Sequence, residues 1–293
     1  MTNYGSAPPT VHRSLLFVPG HRESMLAGAA ARPADAIVFD LEDSVSSDQK
    51  ANARERVSAI LRSWPSDAPA PCVRINSPRR GEVEQDLAVV LSHAGSSVLI
   101  PKVDRPEEIH GVLAAVGARE VMINIETPRA LLRALDFADL HGVTALFLGG
   151  EDLTLELGMK RTAASNELLS ARFMLLCAAR AAGIAAYDTI CPDFRDLDVV
   201  EADSVTAMEL GFDGKFAIHP AQLEVINRVF TPTDADVAQA ERVVAAYDNA
   251  LANGDAAVAL DGQMIDPPVA ERARAVVSRA GRLRRGKPSA PSA

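Results

Sequence analysis

Seven polar or charged residues lie at the ends of short apolar runs. Asp40 closes AIVFD, Arg74 lies in CVRIN, Lys102 closes SVLIPK and Glu126 closes VMINIE. Asp152 closes ALFLGGED, Asp188 closes IAAYD and His219 closes KFAIH. Glu126 and Asp152 suggest the clearest chemistry. Two carboxylates plus water commonly hold Mg²⁺, which keeps much of its hydration and takes further ligands from substrate. No His/Cys cluster offers a softer site, which argues against zinc. The competing reading is a structural salt bridge for each acid. Arg74 is suited to grip a carboxylate or carbonyl oxygen bidentately and to stabilise an enolate. It can equally pair with Asp40, Glu42 or Asp43, and both roles can coexist. Those three acids, crowded into FDLEDS, would repel unless they faced a cation, as outer-sphere contacts to metal-bound water would allow. The alternative is helix capping and dipole pairing. Lys102, set among carboxylates that keep it charged, reads as an ion-paired rim lysine rather than a Schiff-base former. His219 is open to a structural or a catalytic role. In FVPGHRES, Gly20, His21 and Arg22 follow another strand, and Arg22 can meet a phosphate or carboxylate.

These residues can meet only if the strands run parallel. With LLFVP from Leu15 there are eight apolar runs, most separated by helical patterns. Strand and helix alternating eight times predicts a (β/α)8 TIM barrel, and near-continuous apolarity fits strands covered on both faces. The C-terminal strand ends of that fold form the active-site face. All seven residues are therefore expected at one mouth. The barrel is expected over 13–230, after a flexible arm at 1–12. Helices are expected at Ser47–Trp64, Pro106–Val116, Thr127–Leu140 and Asn166–Ala182, the third with the N-cap-then-Pro start Thr127-Pro128. Residues 231–284 form a C-terminal helical extension: a helix over Asp234–Asn253, a strand-like linker, and a helix over Pro267–Arg284. This tail looks too small for its own core, so it should pack as a lid on the barrel or on a neighbouring subunit. Residues 285–293 read as disordered.

Composition narrows the partners. The chain has 293 residues, 48% hydrophobic and 24% charged, with a net charge of −9. That charge argues against nucleic acid and anionic membranes, while leaving room for a local basic pocket. No apolar run approaches the roughly 20 residues of a membrane span. The N-terminus lacks a signal-peptide core, and Cys72, Cys177 and Cys191 fit no metal or redox framework, so a cytoplasmic setting is expected. Cys72 and Cys177 are expected to pack, and Cys191 to be a core or loop thiol.

Taken in order, RSLLFVPG, FDLEDSV, VRIN, IPKV, IETP, GGEDL and GKFAIHPAQ resemble the HpcH/HpaI aldolase and citrate lyase β-subunit family, from Arg13 to about Ala280. The resemblance implies a modified (β/α)8 barrel, Mg²⁺ (with Mn²⁺ as a substitute), and reversible C–C cleavage of 3-hydroxyacyl-CoA thioesters such as citryl-, malyl- or citramalyl-CoA. It implies coenzyme A as part of the substrate and a homotrimer or a multiple of it. The family's metal carboxylates fall on Glu126 and Asp152, and its substrate arginine on Arg74. Its substrate- or CoA-contacting phenylalanine and arginine fall on Phe17 and Arg22, and the backbone at Ile218 and His219 lines the site. The LDGQMIDPP segment matches a motif whose aspartate, here Asp266, reaches into a neighbouring subunit's site; read alone, Asp266 is a helix cap before Pro267. Where malyl-CoA lyases usually carry a lysine, this chain has Gly28, which weakens the malyl-CoA assignment within the family. The intact tail favours a stand-alone enzyme over a subunit of a citrate lyase complex.

The expected activity is a Mg²⁺-dependent carbon–carbon lyase giving an acyl-CoA and a 2-keto acid. Its rivals are a malate-synthase- or thioesterase-like variant using the same residues, an aldolase on free 2-keto-3-deoxy acids, and a non-catalytic scaffold.

Overall fold

The computed structural model describes residues 11–285. Eight parallel strands close into a barrel: β1 (Ser14–Pro19), β2 (Ala36–Asp40), β3 (Ala70–Arg74), β4 (Ser97–Ile100), β5 (Val121–Ile125), β6 (Val143–Leu148), β7 (Ala185–Asp188) and β8 (Gly214–Ala217). Closure is made by β1 against β8, with Leu15 opposite Phe216. Side-chain alternation splits the apolar residues into two layers. Leu15, Val38, Cys72, Leu99, Met122, Phe147, Tyr187 and Phe216 fill the interior, each from a different strand. Their strand neighbours, such as Leu16, Ile37, Val73, Ile123 and Leu146, face the surrounding helices.

This parity decides which strand-end residues face the mouth. Val38 points inward and so does Asp40; Cys72 points inward and so does Arg74. In β7 the inward residue is Tyr187, which turns Asp188 outward. Asp188 therefore does not join the mouth, contrary to the expectation from strand position alone. It is fully buried between β7, β8 and two helices, Leu169–Ala182 and Leu197–Leu210.

The expected helices are present with altered ends. Residues 47–64 resolve into a 3₁₀ turn, Ser47–Gln49, and a helix, Lys50–Arg62. Residues 127–140 hold two short helices, Pro128–Leu132 and Ala134–Ala138, and Thr127 caps the first by accepting the Ala130 N–H at 3.0 Å. A helix at Gly150–Glu156 follows β6 directly, so Asp152 sits in its first turn rather than at the strand tip.

Most of the expected N-terminal arm lies outside the described residues, but His12 does not fit it. Its ring is buried and stacks on Tyr187, and its backbone N–H donates to Tyr187 Oη at 3.3 Å. The tail expected to be disordered likewise lies outside them, apart from Arg285, which ends a helix. Cys72 and Cys191 are buried, whereas Cys177 is exposed on the outer face of its helix.

The chain divides into two compact units, the first ending at Phe230 and the second starting at Thr231. The second consists of helices Asp234–Ala252 and Pro267–Arg285 joined by a hairpin of β9 (Val258–Leu260) and β10 (Gln263–Ile265). It has an apolar cluster of its own, Ala240, Val243, Tyr247, Ile265, Ala270 and Ala273. This corrects the expectation of a coreless tail: the small alanines let the two helices approach closely around one tyrosine.

Arg172 holds Asp188 and Asp203 inside the barrel wall. Replacing it by Met would leave two buried carboxylates sharing one lysine, a loss of about 3–5 kcal/mol by the usual cost of breaking a buried pair. Chemical denaturation of Arg172→Met should show a loss of that size; a change under about 1 kcal/mol would mean that the pairs are not desolvated as the structure has them.

Candidate active site

A cavity of about 270 Å³ opens at the C-terminal end of the barrel, lined by Phe17, Asp40, Arg74, Glu126 and Asp152 among others. Glu126 follows β5 on its inward face and is 2% exposed. Lys102 donates its backbone N–H to Glu126 Oε1 at 2.6 Å, and Asn124 donates its side-chain amide to Oε2. Lys102 does this from a left-handed conformation, φ 52°. Such a backbone costs a non-glycine residue about 1–3 kcal/mol, and strain of this kind is found where a donor must be aimed. Burial pushes the Glu126 carboxyl well above the usual range, and the charges of Asp152 and Glu42 push it further. A bound cation would oppose each of those pushes.

Arg74 is the central cation. Its Nε and Nη2 grip Asp40 Oδ1 and Oδ2, both at 2.7 Å, and its Nη1 lies 3.4 Å from Glu42. Its guanidinium carbon stands 4.7 Å from the centre of the Phe17 ring. The forked edge is thus spent on Asp40 and Nη1 is turned toward Glu42, while Arg74 still lines the cavity. Asp40 also accepts the N–H groups of Glu42 and Ser44, at 2.8 and 3.1 Å. Burial alone would raise its carboxyl, but Arg74 overturns this and holds it at about 2.

The acids of FDLEDS therefore face the protein's own cations. Lys102 Nζ reaches Glu42 at 2.7 Å and Asp43 at 2.6 Å. Burial would lower that ammonium's pKa, and its hydrogen bonds to Asp43 and Glu42 reverse the direction, keeping it charged. Lys50, buried beneath the loop, holds Leu41 O and Glu42 O at 2.6 and 2.7 Å.

The glycines of GGED admit this packing. A Cβ on Gly149 would lie 2.4 Å from Glu126 Cβ and 2.5 Å from Asn124 Oδ1. Only glycine lets β6 turn into the next helix across the Glu126 side chain, and that turn presents Asp152 to the cavity.

Other expected residues are placed differently. Ile218 lines the cavity, and its N–H donates to Gln222 Oε1 at 2.9 Å. His219 is exposed; its Nδ1 accepts the Ala221 N–H at 3.1 Å and its ring stacks on Phe194. That is a capping role, outside the cavity lining. Arg22 is exposed ahead of the short helix Glu23–Ala27, and is also outside the lining. Asp266 Oδ1 accepts the Val269 N–H at 3.2 Å, capping the helix from Pro267. Asn124, Ser44, Phe147, Thr189 and Ile190 line the cavity without having been singled out. The asparagine had a signal, since a polar residue two positions before Glu126 in an apolar strand shares its face. Thr189 and Ile190 had none, because they belong to a loop.

Among the described residues, no group of three or more His, Cys, Asp or Glu is placed to hold a metal ion. Glu126 and Asp152 fit a hard divalent cation only in the open form, with water and substrate supplying the other oxygens, and that is how Mg²⁺ is usually bound.

The model of the HpcH/HpaI aldolase/citrate lyase family matches residues 13–220. The chain belongs to this family. It is 34% identical over 281 residues to a citrate lyase subunit β-like protein of Deinococcus radiodurans, covering 93% of this chain and 99% of that protein. It is also 34% identical over 254 residues to the (3S)-malyl-CoA thioesterase of Cereibacter sphaeroides, 87% of this chain and 89% of that one. Among solved structures, CitE from Mycobacterium tuberculosis in complex with magnesium, acetoacetate and coenzyme A matches with a TM-score of 0.78 and 31% identity, covering 93% of this chain and 99% of that one. The TIM barrel, and membership in a family of citrate lyase β-like enzymes, follow. None of the described helices is long and apolar enough to cross a membrane.

The Asp40–Arg74 pair gives a testable pH dependence. The folded-state pKa of Asp40 lies below its unfolded value, so its stabilisation is present above about pH 4 and is lost as pH falls through about 2. Asp40→Asn should lower stability at pH 7 and flatten the stability curve between those pH values, as followed by urea unfolding. An unchanged slope would show that the pair contributes nothing to acid sensitivity.

Proposed function

We propose that this protein is a Mg²⁺-dependent carbon–carbon lyase that cleaves a 3-hydroxyacyl-CoA thioester, of the citramalyl-, malyl- or citryl-CoA type, to an acyl-CoA and a 2-keto acid. The observation that carries the reading is one cavity bounded by Glu126 and Asp152 and crossed by the charged face of Arg74. It is supported by solved relatives described with magnesium, oxaloacetate and coenzyme A.

Glu126 and Asp152 would hold the cation, which when bound supplies Lewis-acid polarisation of the keto-acid oxygens. Arg74, through the N–H groups that Asp40 does not take, would bind the carboxylate of the keto-acid fragment and the oxyanion that develops. In cleavage, the 3-hydroxyl gives up its proton and its O–H electron pair becomes the second C–O bond of the keto acid. The C2–C3 bond breaks and its pair passes to C2 as a thioester enolate, so that one proton leaves oxygen for each proton taken up at C2. Protonation at C2 then completes the acyl-CoA. Phe17, Phe147 and Ile190 give this region an apolar wall that limits water around the enolate. By resemblance, Asp266 from a neighbouring copy in a homotrimer would carry the C2 proton. The residues Asp40, Glu42, Asp43 and Lys102 would keep Arg74 and Glu126 in place. Phe17 and Ile218 would border the thioester; by resemblance Arg22 and the backbone at His219, outside the cavity lining, would meet the coenzyme A part. A thioesterase outcome has its own support, the 34% identity to a malyl-CoA thioesterase; it would use the same cavity with water as the final nucleophile.

Assaying 3-hydroxyacyl-CoA esters with Mg²⁺ for keto-acid and free-CoA release separates these readings. Keto acid without free CoA is expected. Free CoA with a hydroxy acid would indicate the thioesterase. Arg74→Lys, which cannot span Asp40 with two nitrogens, should lose on the order of 10²-fold in kcat/KM. Glu126→Gln and Asp152→Asn should abolish Mg²⁺-dependent turnover with a near-native Tm. Full activity in both would rule out the cation site.

A further inference from the structure

Behind β7 and β8, four buried charges form a closed, neutral set. Arg172 Nε and Nη2 hold Asp188 at 2.8 Å each, and Nη2 also holds Asp203 at 2.7 Å. Lys215 Nζ reaches Asp188 at 2.6 Å and Asp203 at 2.7 Å. Apolar side chains would fill the same space with less desolvation cost, so packing alone does not account for the set.

One further bond leads from it toward the cavity. Lys215 Nζ also donates to the Thr189 carbonyl at 2.6 Å. Thr189 is among the residues that line the cavity, and its Oγ1 accepts the Gly150 N–H at 3.1 Å. Gly150 opens the helix Gly150–Glu156, whose first turn carries Asp152. The approach is close: a Cβ on Gly150 would lie 2.7 Å from Thr189 Oγ1. Gln222, fully buried, secures the other end of this stretch. Its Nε2 donates to Cys191 O at 2.8 Å, while its Oε1 accepts the N–H groups of Ile218 and His219. The segment from Thr189 to Cys191 is thus fixed at both ends.

We propose that Thr189, held by Lys215 and Gln222, is a positioning residue for Asp152. Its hydroxyl sets the first turn of the Asp152 helix against Glu126, and so sets the affinity for the divalent cation. The buried quartet serves to lock the Thr189 carbonyl in register. This rests on the reading that Glu126 and Asp152 hold Mg²⁺.

The test is calorimetric titration with MgCl₂ alone on the full chain, with Tm measured in parallel. Thr189→Val should raise the Mg²⁺ Kd roughly 10-fold or more, and Thr189→Ser should stay within about twofold of wild type, as expected for loss and retention of an outer hydrogen-bond partner. The pair Lys215→Met with Asp203→Asn leaves the Arg172–Asp188 pair charge-balanced and should also weaken Mg²⁺. If that double variant does not fold, Thr189→Val still decides the matter. In Thr189→Val, saturating Mg²⁺ should restore kcat; failure to do so would mean that Thr189 meets the substrate directly and would overturn the positioning role. Wild-type affinity in Thr189→Val overturns it too, while leaving the cation site standing. No Mg²⁺ binding by the wild-type protein would remove the cation reading itself, a distinct result.

Discussion

A carboxylate buried to 2% exposure at a barrel mouth is the constraint on which the rest of the site depends. Glu126 loses most of its water there, and Asp152 and Glu42 add like charge. An uncompensated buried charge is costly, so the surroundings must supply donors and positive potential. Lys102 gives a backbone N–H from a left-handed turn, Asn124 gives its amide, and Arg74 gives its charge across the cavity. Each donor has its own support in turn. Asp40 and Glu42 fix Arg74, and Asp43 and Glu42 fix the Lys102 ammonium. The acids of FDLEDS therefore hold two cations, Arg74 in the cavity lining and Lys102 beside Glu126.

The same constraint explains two glycines. Gly149 leaves room for the Glu126 and Asn124 side chains, and Gly150 leaves room for Thr189. A side chain at either position would push the start of the helix that carries Asp152 away from Glu126, Asn124 and Thr189. The cavity is consequently assembled from strand ends on one side and from a helix start on the other.

The family relationship and the geometry carry different information. Relatives include a citrate lyase β-like protein and a malyl-CoA thioesterase at equal identity, 34% each. The family therefore includes proteins named for different activities on related scaffolds. The second unit, with its own cluster around Tyr247, is built to hold its shape as a unit.

The sequence by itself determined the barrel, because eight apolar runs alternating with helices leave few other ways to bury both faces of parallel strands. It also marked Arg74 and Glu126, since residues ending such strands fall at one face. It could not decide side-chain direction at strand tips whose exact ends were unknown. Asp40 and Asp188 both close apolar strands, yet pleat parity turns Asp40 to the mouth and Asp188 into the wall, where Lys215 and Arg172 neutralise it. It could not show that the Arg74 fork is taken by Asp40, or that His219 caps a turn, because those outcomes depend on partners 34 residues away or on local loop geometry. Nor could it find Thr189, whose role rests on a hydrogen bond to a glycine 39 residues earlier. Periodicity is a local property and survives in one dimension. Which polar groups meet is set by closure of the barrel, and only the tertiary structure contains that.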